Sequence, residues 1–371
     1  MKNTKAYASK NPDYILLFAI LTLIGIGFLA LASASAIPSK EKFNDPYYYL
    51  KHQLIYGFSA GLILGFLAYK IRLKIFEKLS LAAMIVTFFL LILVFLPNFS
   101  YSHGGAQRWI IIGPLSLQPA EIAKFSYILF LASWLKSRKN EIKSFWEGVL
   151  PFLLMTGFLA GLLILQPAVG TAGIILISSA IMFFAAGAKI THIIYCFALG
   201  ILLLLALIKI APYRLERINT FLNPEADPLG TSYQVNQALI AIGSGGISGA
   251  GFGNSSQSYH YIPEPMGDSI FAIYAEETGF IGSVFLVVLF ILLAWRGFKT
   301  AIKNSGDKFA QFVCIGIISW VTLQAFINIA GISKVLPLTG VPLPFISYGG
   351  SALAITMIAS GLLLNISKNE T

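Results

Sequence analysis

Ten apolar runs, most of them close to 20 residues long, follow one another along this chain of 371 residues. A run of that length lets an α-helix, at ~1.5 Å per residue, cross a hydrocarbon core about 30 Å thick. The runs fall at about 14–35, 51–70, 76–97, 119–135, 147–165, 170–187, 190–210, 269–295, 309–331 and 343–365. The expected fold is all-α: a polytopic membrane protein of about ten transmembrane helices. It forms one transmembrane domain over 1–371, with a long extracytoplasmic loop at about 211–268 between the seventh and eighth helices. Only Gln-Pro-Ala-Val-Gly divides the fifth run from the sixth. Lys2, Lys5 and Lys10 before the first run, and ALASASA after it, imitate a signal peptide. Ile15 to Leu31 is longer than a usual signal core and further runs follow at once, so an uncleaved first helix is expected.

Charge sets the orientation. The chain is 57% hydrophobic and 11% charged, with a net charge of +10. The basic residues form no single recognition surface, so no nucleic-acid partner is expected. With the N-terminus inside, 17 of the 26 Lys and Arg fall in inside segments and 8 in outside ones, while Lys124 lies within the fourth run. That bias predicts cytoplasmic N- and C-termini in the cytoplasmic (inner) membrane and puts the long loop outside. Cys196 and Cys314 lie in apolar runs and the four histidines are scattered, so neither a disulfide framework nor a metal motif follows. The chain shows no internal repeat at a fixed period, unlike many transporters.

Chemistry concentrates at the start of the eighth run, in NSSQSYHYIPEPMGDSIFAIYAEETGFIG, Asn254 to Gly282. Asp268 stands where a polar, glycine-rich segment meets the apolar run. Glu276 and Glu277 follow, about 12 to 13 Å deeper on a helix that starts near Asp268. A helix dipole accounts for an acid at the N-terminus, but not for two glutamates inside an apolar run, where ionisable residues are functional by default.

Other stretches add polar groups. SHGGAQRWIIIGPLSLQPAEIAKF holds Arg108 beside Trp109, a tight turn shaped by glycines and Pro114, and Glu121 and Lys124 at i, i+3 on the fourth helix. That pair serves either as a structural ion pair or as the lining of a polar cavity. LQPAVGTAG breaks the helix at Pro167 and Gly170, with Gln166 and Thr171 as partners for the freed backbone. In the long loop, Arg214 and Arg217 precede a short amphipathic helix at Tyr233 to Ile242, expected in the membrane interface. A glycine-rich run follows; beside those arginines it suits a lipid-linked phosphate, although no P-loop or Rossmann pattern is present. QAFINIAGISKVLPLTGVPLPFISYGGSALA contributes Asn328, Lys334, Ser347 and Ser351 around a kinked approach to the tenth helix.

Together GAQRWIIIGPLSLQPAEIAKF, LQPAVGTAG, PEPMGDSIFAIYAEETGFIG and NIAGISKVLPLTGVPLPFISYGGS resemble the SEDS family (shape, elongation, division and sporulation proteins), typified by FtsW and RodA. The resemblance runs from about Asp13 to Leu364 and leans towards the FtsW type. It implies ten helices and a peptidoglycan glycosyltransferase that polymerises lipid II, the undecaprenyl-pyrophosphate-linked disaccharide-pentapeptide, on the outer face of the membrane. It also implies a class B penicillin-binding protein, a transpeptidase, as partner. By the same resemblance Asp268 is the catalytic residue, and Arg108, Glu121 and Lys124 match family positions. Arg214, Arg217, Glu277, Lys334, Ser347 and Ser351 complete the expected substrate-binding set. Gly267 and Ser269 stand where the family often has Thr and Phe, and Ala168 stands where it often has Asp.

Polymerisation needs a base for the acceptor hydroxyl and stabilisation of the departing pyrophosphate. Asp268 suits the first task. Arg108, Lys124 and a divalent cation, magnesium or manganese, are candidates for the second. A lipid II flippase, using the buried charges as a polar route, and a non-catalytic divisome scaffold, which would not need Asp268, are the alternatives.

Overall fold

The computed structural model describes the chain except residues 1–10, 97–99, 104–105, 114, 139–140, 211, 224–231, 256–261 and 369–371. Side chains are described for the same residues apart from 100–107, 112, 115, 203–210, 212–214, 216 and 218. The protein is overwhelmingly helical. Helix α1 (Tyr14–Phe43) is followed by α2 (Tyr48–Lys70) and α3 (Leu73–Leu93). Strands β1 (Ser100–His103), β2 (Ala106–Ile112) and β3 (Leu115–Leu117) lead to α4 (Pro119–Ser137). Then come α5 (Phe145–Leu165), α6 (Val169–Ala185) and α7 (Ile190–Ile210). The long loop contains α8 (Pro212–Leu222) and α9 (Tyr233–Ser244). The chain finishes with α10 (Ile270–Lys303), α11 (Lys308–Ile332) and α12 (Gly350–Ser367).

Each of the ten apolar runs is helical over most of its length. Among the described residues, seven helices are by length and composition able to cross a membrane: α1, α2, α3, α5, α10, α11 and α12. Helix α4 carries Glu121, Lys124 and Lys136, α6 is shorter, and the side chains of α7 are described only as far as Leu202.

Helix α11 is the centre of the bundle, packed by α4, α6 and α10 and buried on almost every side. Small residues allow the closest approach elsewhere. Helix α12 lies on α2 so tightly that a Cβ on Gly361 would sit 2.0 Å from the carbonyl oxygen of Gly65. Asp13 joins three helices at the opposite end from Asp268. It caps α1 by accepting from the backbone N–H groups of Ile15 and Leu16. It also pairs with Arg296 of α10, at 2.8 Å from Nε, and its own N–H donates to Ser367 of α12 at 3.0 Å.

Two local expectations are corrected, and the packing of a third element is added to them. The stretch between the third and fourth helices is not merely a turn: β1, β2 and β3 form a small antiparallel sheet in that order, with a register shift at Tyr101/Ser102. The glycines and Pro114 thought to shape the turn lie outside the described residues, apart from Gly113. Helix α9 packs on α10 with Val235, Ala238 and Ala241 buried. Helix α10 does not run unbroken from Asp268. It begins at Ile270 and is interrupted at Gly279 (φ 66°, ψ −163°), a conformation open essentially to glycine.

That interruption explains the glycine-rich segment. Backbone N–H groups of Ala250 and Gly251 donate to the carbonyls of Glu276 and Glu277, each at 3.0 Å. Beyond the break, Phe280 and Ile281 donate back to Gly246 and Ile247. Groups freed by a broken helix inside a membrane protein must find protein partners, and the glycines let this backbone come close enough to supply them. These donors are bonded to the helix rather than free to cradle a phosphate.

Candidate active site

Asp268 is held by its own backbone. The carbonyls of Met266, Gly267 and Asp268 each accept a hydrogen bond from elsewhere in the fold. Tyr348 N–H reaches Met266 at 2.8 Å, Ser347 Oγ reaches Gly267 at 2.6 Å, and Asn328 Nδ2 reaches Asp268 at 2.8 Å. Three consecutive bonds from α11 and the loop before α12 leave this turn little freedom. On the other side, Gln234 of α9 donates to Asp268 Oδ1 at 3.4 Å and to Ser269 Oγ at 2.9 Å. Ser269 in turn donates to the Pro263 carbonyl at 3.0 Å.

The carboxylate faces a cation across a glycine. A Cβ on Gly340 would lie 3.6 Å from Asp268 Oδ2 and 3.8 and 3.9 Å from the terminal nitrogens of Arg217. Gly340 has φ +67°, so the backbone itself favours glycine there. Arg217 Nη1 donates to the Leu338 carbonyl at 2.9 Å, which fixes the guanidinium beside the gap. Burial chiefly, and then the nearby negative charge of Glu264, push the Asp268 carboxyl up to about 6 from the ordinary 3.8. Its backbone, Arg217 and Gln234 oppose the rise. The result is an acid that changes protonation near neutral pH, next to a permanent positive charge. Such a pairing has the properties that a general base with an electrophilic neighbour needs.

This architecture has relatives. Residues 14–371 match the family model described as cell cycle protein, which covers FtsW, RodA and SpoVE. The chain belongs to this SEDS family. It is 40% identical to stage V sporulation protein E of Bacillus subtilis, over 96% of this chain and 97% of that one. It is 39% identical to a probable peptidoglycan glycosyltransferase FtsW of Coxiella burnetii, over 98% of each chain. Among solved structures it resembles a chain from a peptidoglycan synthase complex that coordinates polymerization and crosslinking. The TM-score is 0.79 at 30% identity, covering 97% of this chain and 98% of that one. It also resembles the rod shape determining protein RodA of Thermus thermophilus, with TM-score 0.71 at 28% identity over 100% and 99% of the two chains.

The remaining site candidates of this SEDS chain divide by what they touch. Arg108, on β2, donates through Nε to the carbonyl of Gln166 at 3.0 Å and through Nη2 to that of Pro167. It clasps the break between α5 and α6. Ala168 is the N-cap residue of α6 and offers no side-chain bond there, so the Asp that the family resemblance implied at this position would be a cap that this chain lacks. Glu121 and Lys124 are 1% exposed and paired at 2.8 Å, inside the protein rather than on an open cavity. Lys124 also donates to Gln324 Oε1 at 2.6 Å and lies 4.9 Å from the Trp320 ring.

Glu277 accepts from Ser33 Oγ and, at 3.0 Å, from the N–H of Gly253, so it ties α1 and the glycine-rich segment to the break in α10. Ser351 Oγ accepts from the N–H of Gln118 at 3.3 Å. Ser347 both accepts from Leu343 N–H and donates to Gly267. Lys334 follows the C-cap of α11 in left-handed backbone (φ 58°), and its ammonium makes no hydrogen bond or ion pair among the described residues. The Arg214 side chain lies outside the described residues.

Sequence reasoning passed over Gln234, Glu264 and Gln324. Gln324 had a signal: with Asn328 it puts two amides at i, i+4 on one face of a largely apolar helix. Gln234 and Glu264 had none, because nothing in the loop ties them to Asp268 before it folds. Among the described residues no group of three His, Cys, Asp or Glu is arranged to hold a metal.

Proposed function

We propose that the chain is a peptidoglycan glycosyltransferase that polymerises lipid II at the outer face of the cytoplasmic membrane, with Asp268 as its general base. The observation that carries this reading is the carboxylate raised to about 6 and set across Gly340 from Arg217. In the reaction, Asp268 takes the proton from the acceptor sugar hydroxyl. The freed oxygen attacks the anomeric carbon of the donor sugar, a glycosidic bond forms, and the bond from that carbon to the pyrophosphate oxygen breaks. The electron pair leaves with undecaprenyl pyrophosphate, whose growing charge Arg217 would stabilise. Arg108 and Lys334 are more distant cations of the substrate path in this reading.

A magnesium or manganese ion fits the site only in part. Asp268 and Glu264 repel one another electrostatically, which suits a hard cation. Magnesium is usually held by one or two carboxylates together with substrate phosphates. When bound it would neutralise the pyrophosphate.

Ten crossings, cytoplasmic termini, a division-type role and a class B penicillin-binding protein as partner belong to the same proposal. The charge bias supports the orientation. The FtsW and SpoVE relatives support the role, and the neighbouring synthase complex supports the partner. The flippase alternative draws no support from Glu121, Lys124, Glu276 and Glu277, which bond within the protein.

The test is glycan polymerisation from purified lipid II by the full chain with a class B penicillin-binding protein, moenomycin being added to silence polymerases of the other type. Wild type should give long glycan. Asp268→Asn should lose at least about 100-fold, the range of a general base. Equal rates would remove Asp268 from the role, and no product from either would move the chain to the flippase or scaffold reading.

A further inference from the structure

The buried charges on α4 and the backbone of Asp268, just before α10, are both tied to the loop after α11 by two side-chain amides of α11. Lys124 Nζ and Trp320 Nε1 both donate to Gln324 Oε1, at 2.6 and 2.7 Å. Gln324 Nε2 then donates to the carbonyl of Pro342 at 2.8 Å. One turn further along α11, Asn328 Nδ2 donates to the next carbonyl back, Val341, at 2.8 Å, and to that of Asp268 at 2.8 Å. Both amides are 3% exposed. The loop they hold is the one that presents Gly340 to Asp268 and Leu338 to Arg217.

Neither amide can be reversed without loss. Asn328 faces two carbonyl oxygens, so it must present its NH₂; its Oδ1 is buried without a partner, which is the consequence of that orientation. Gln324 faces two donors with its oxygen and one carbonyl with its nitrogen. Each amide therefore spans groups of fixed polarity, and a carboxylate of the same shape would meet the carbonyls with repulsion.

We propose that Gln324 and Asn328 are positioning residues that set the gap between Asp268 and Arg217, and that the Glu121–Lys124 pair acts on catalysis by orienting Gln324. This rests on the reading of Asp268 as the base. It gives the intramembrane ion pair a task in the reaction without contact with substrate.

Near-isosteric variants test it. Asn328→Asp keeps the volume and turns both of its bonds into repulsions. Gln324→Glu keeps the acceptor for Lys124 and Trp320 and loses only the bond to Pro342. Both are compared with wild type in the full chain with lipid II and the transpeptidase partner. Hydrogen–deuterium exchange and thermal unfolding are followed on the same preparations. The expected result is a fall in kcat of about tenfold or more with KM within about twofold, as for a group acting on the transition state. Exchange should rise at 264–269 and 338–348 but not in α4.

If Gln324 only shelters the lysine, Gln324→Glu would keep wild-type kcat and exchange, and the proposal falls. A lowered unfolding temperature with kcat per folded protein unchanged would also overturn it. Should wild type make no glycan, the reading of the base fails; the exchange pattern still decides whether these amides hold the two loops.

Discussion

Glu277 accepts a hydrogen bond from the backbone N–H of Gly253 at 3.0 Å, across 24 residues of chain. The glutamate that looked most out of place in an apolar helix thus pins the glycine-rich segment against the interruption at Gly279. The segment's glycines are needed for contact as much as for turning. A Cβ on Gly249 would lie 2.1 Å from the Glu277 carbonyl oxygen, whereas one on Gly253 meets nothing within 4 Å. Both have positive φ, +82° and +78°. Gly253→Ala should cost about 1 kcal/mol from backbone strain alone. Gly249→Ala should cost clearly more, because backbone must move. Thermal unfolding of the two variants side by side checks this.

The activity should depend on pH through Asp268. Its carboxyl, raised to about 6, must be ionised to accept a proton, so kcat/KM should fall tenfold per unit below about pH 6. The stability effect has the opposite sense. The native state holds the proton more tightly than the unfolded chain, so this group's contribution is present at low pH and is lost as pH rises from about 4 to 6. At pH 7.5, Asp268→Asn should therefore be inactive yet more stable, by roughly 1–2 kcal/mol. At pH 4 the two proteins should unfold together. A variant that is less stable at pH 7.5 would contradict the assignment.

Arg217 lowers the carboxyl of Asp268 from where burial alone would hold it. Arg217→Gln should consequently shift the acid limb of the pH–rate profile to higher pH and reduce kcat even on its plateau. Arg217→Lys should keep the limb near its wild-type position while losing rate, since a point charge lacks the planar fork. Gly340→Val would place a side chain into the gap between the two groups and should abolish activity with either residue intact.

Breaking the buried pair on α4 should be far more damaging than removing it. Lys124→Met leaves Glu121 as an unpaired charge at 1% exposure and should destabilise by about 3–5 kcal/mol. The double variant Glu121→Gln with Lys124→Met should recover most of that loss in unfolding measurements. Its polymerisation should stay impaired, because Gln324 then lacks the ammonium that orients it.

The apolar runs by themselves determined that this is a polytopic helical membrane protein, because no other arrangement buries so much continuous apolar chain with its backbone bonded. Asp268 stood out at a junction between polar and apolar sequence, but a helix dipole alone suits an acid there, and its expected role came from the family resemblance. The tertiary structure alone decided what the other polar residues do. Arg108 and Glu277 turned towards backbone, because helix breaks at Pro167 and Gly279 release carbonyls and N–H groups that must be bonded inside the protein. Sequence shows that a helix breaks; it does not show which distant side chain or loop comes to the broken ends. The small sheet before α4 was missed because its pairing depends on register between short strands rather than on a strong period. The gap at Gly340 was invisible for the same kind of reason. It is made by α8, the loop before α10 and the loop after α11, three segments brought together only when α11 becomes the centre of the bundle.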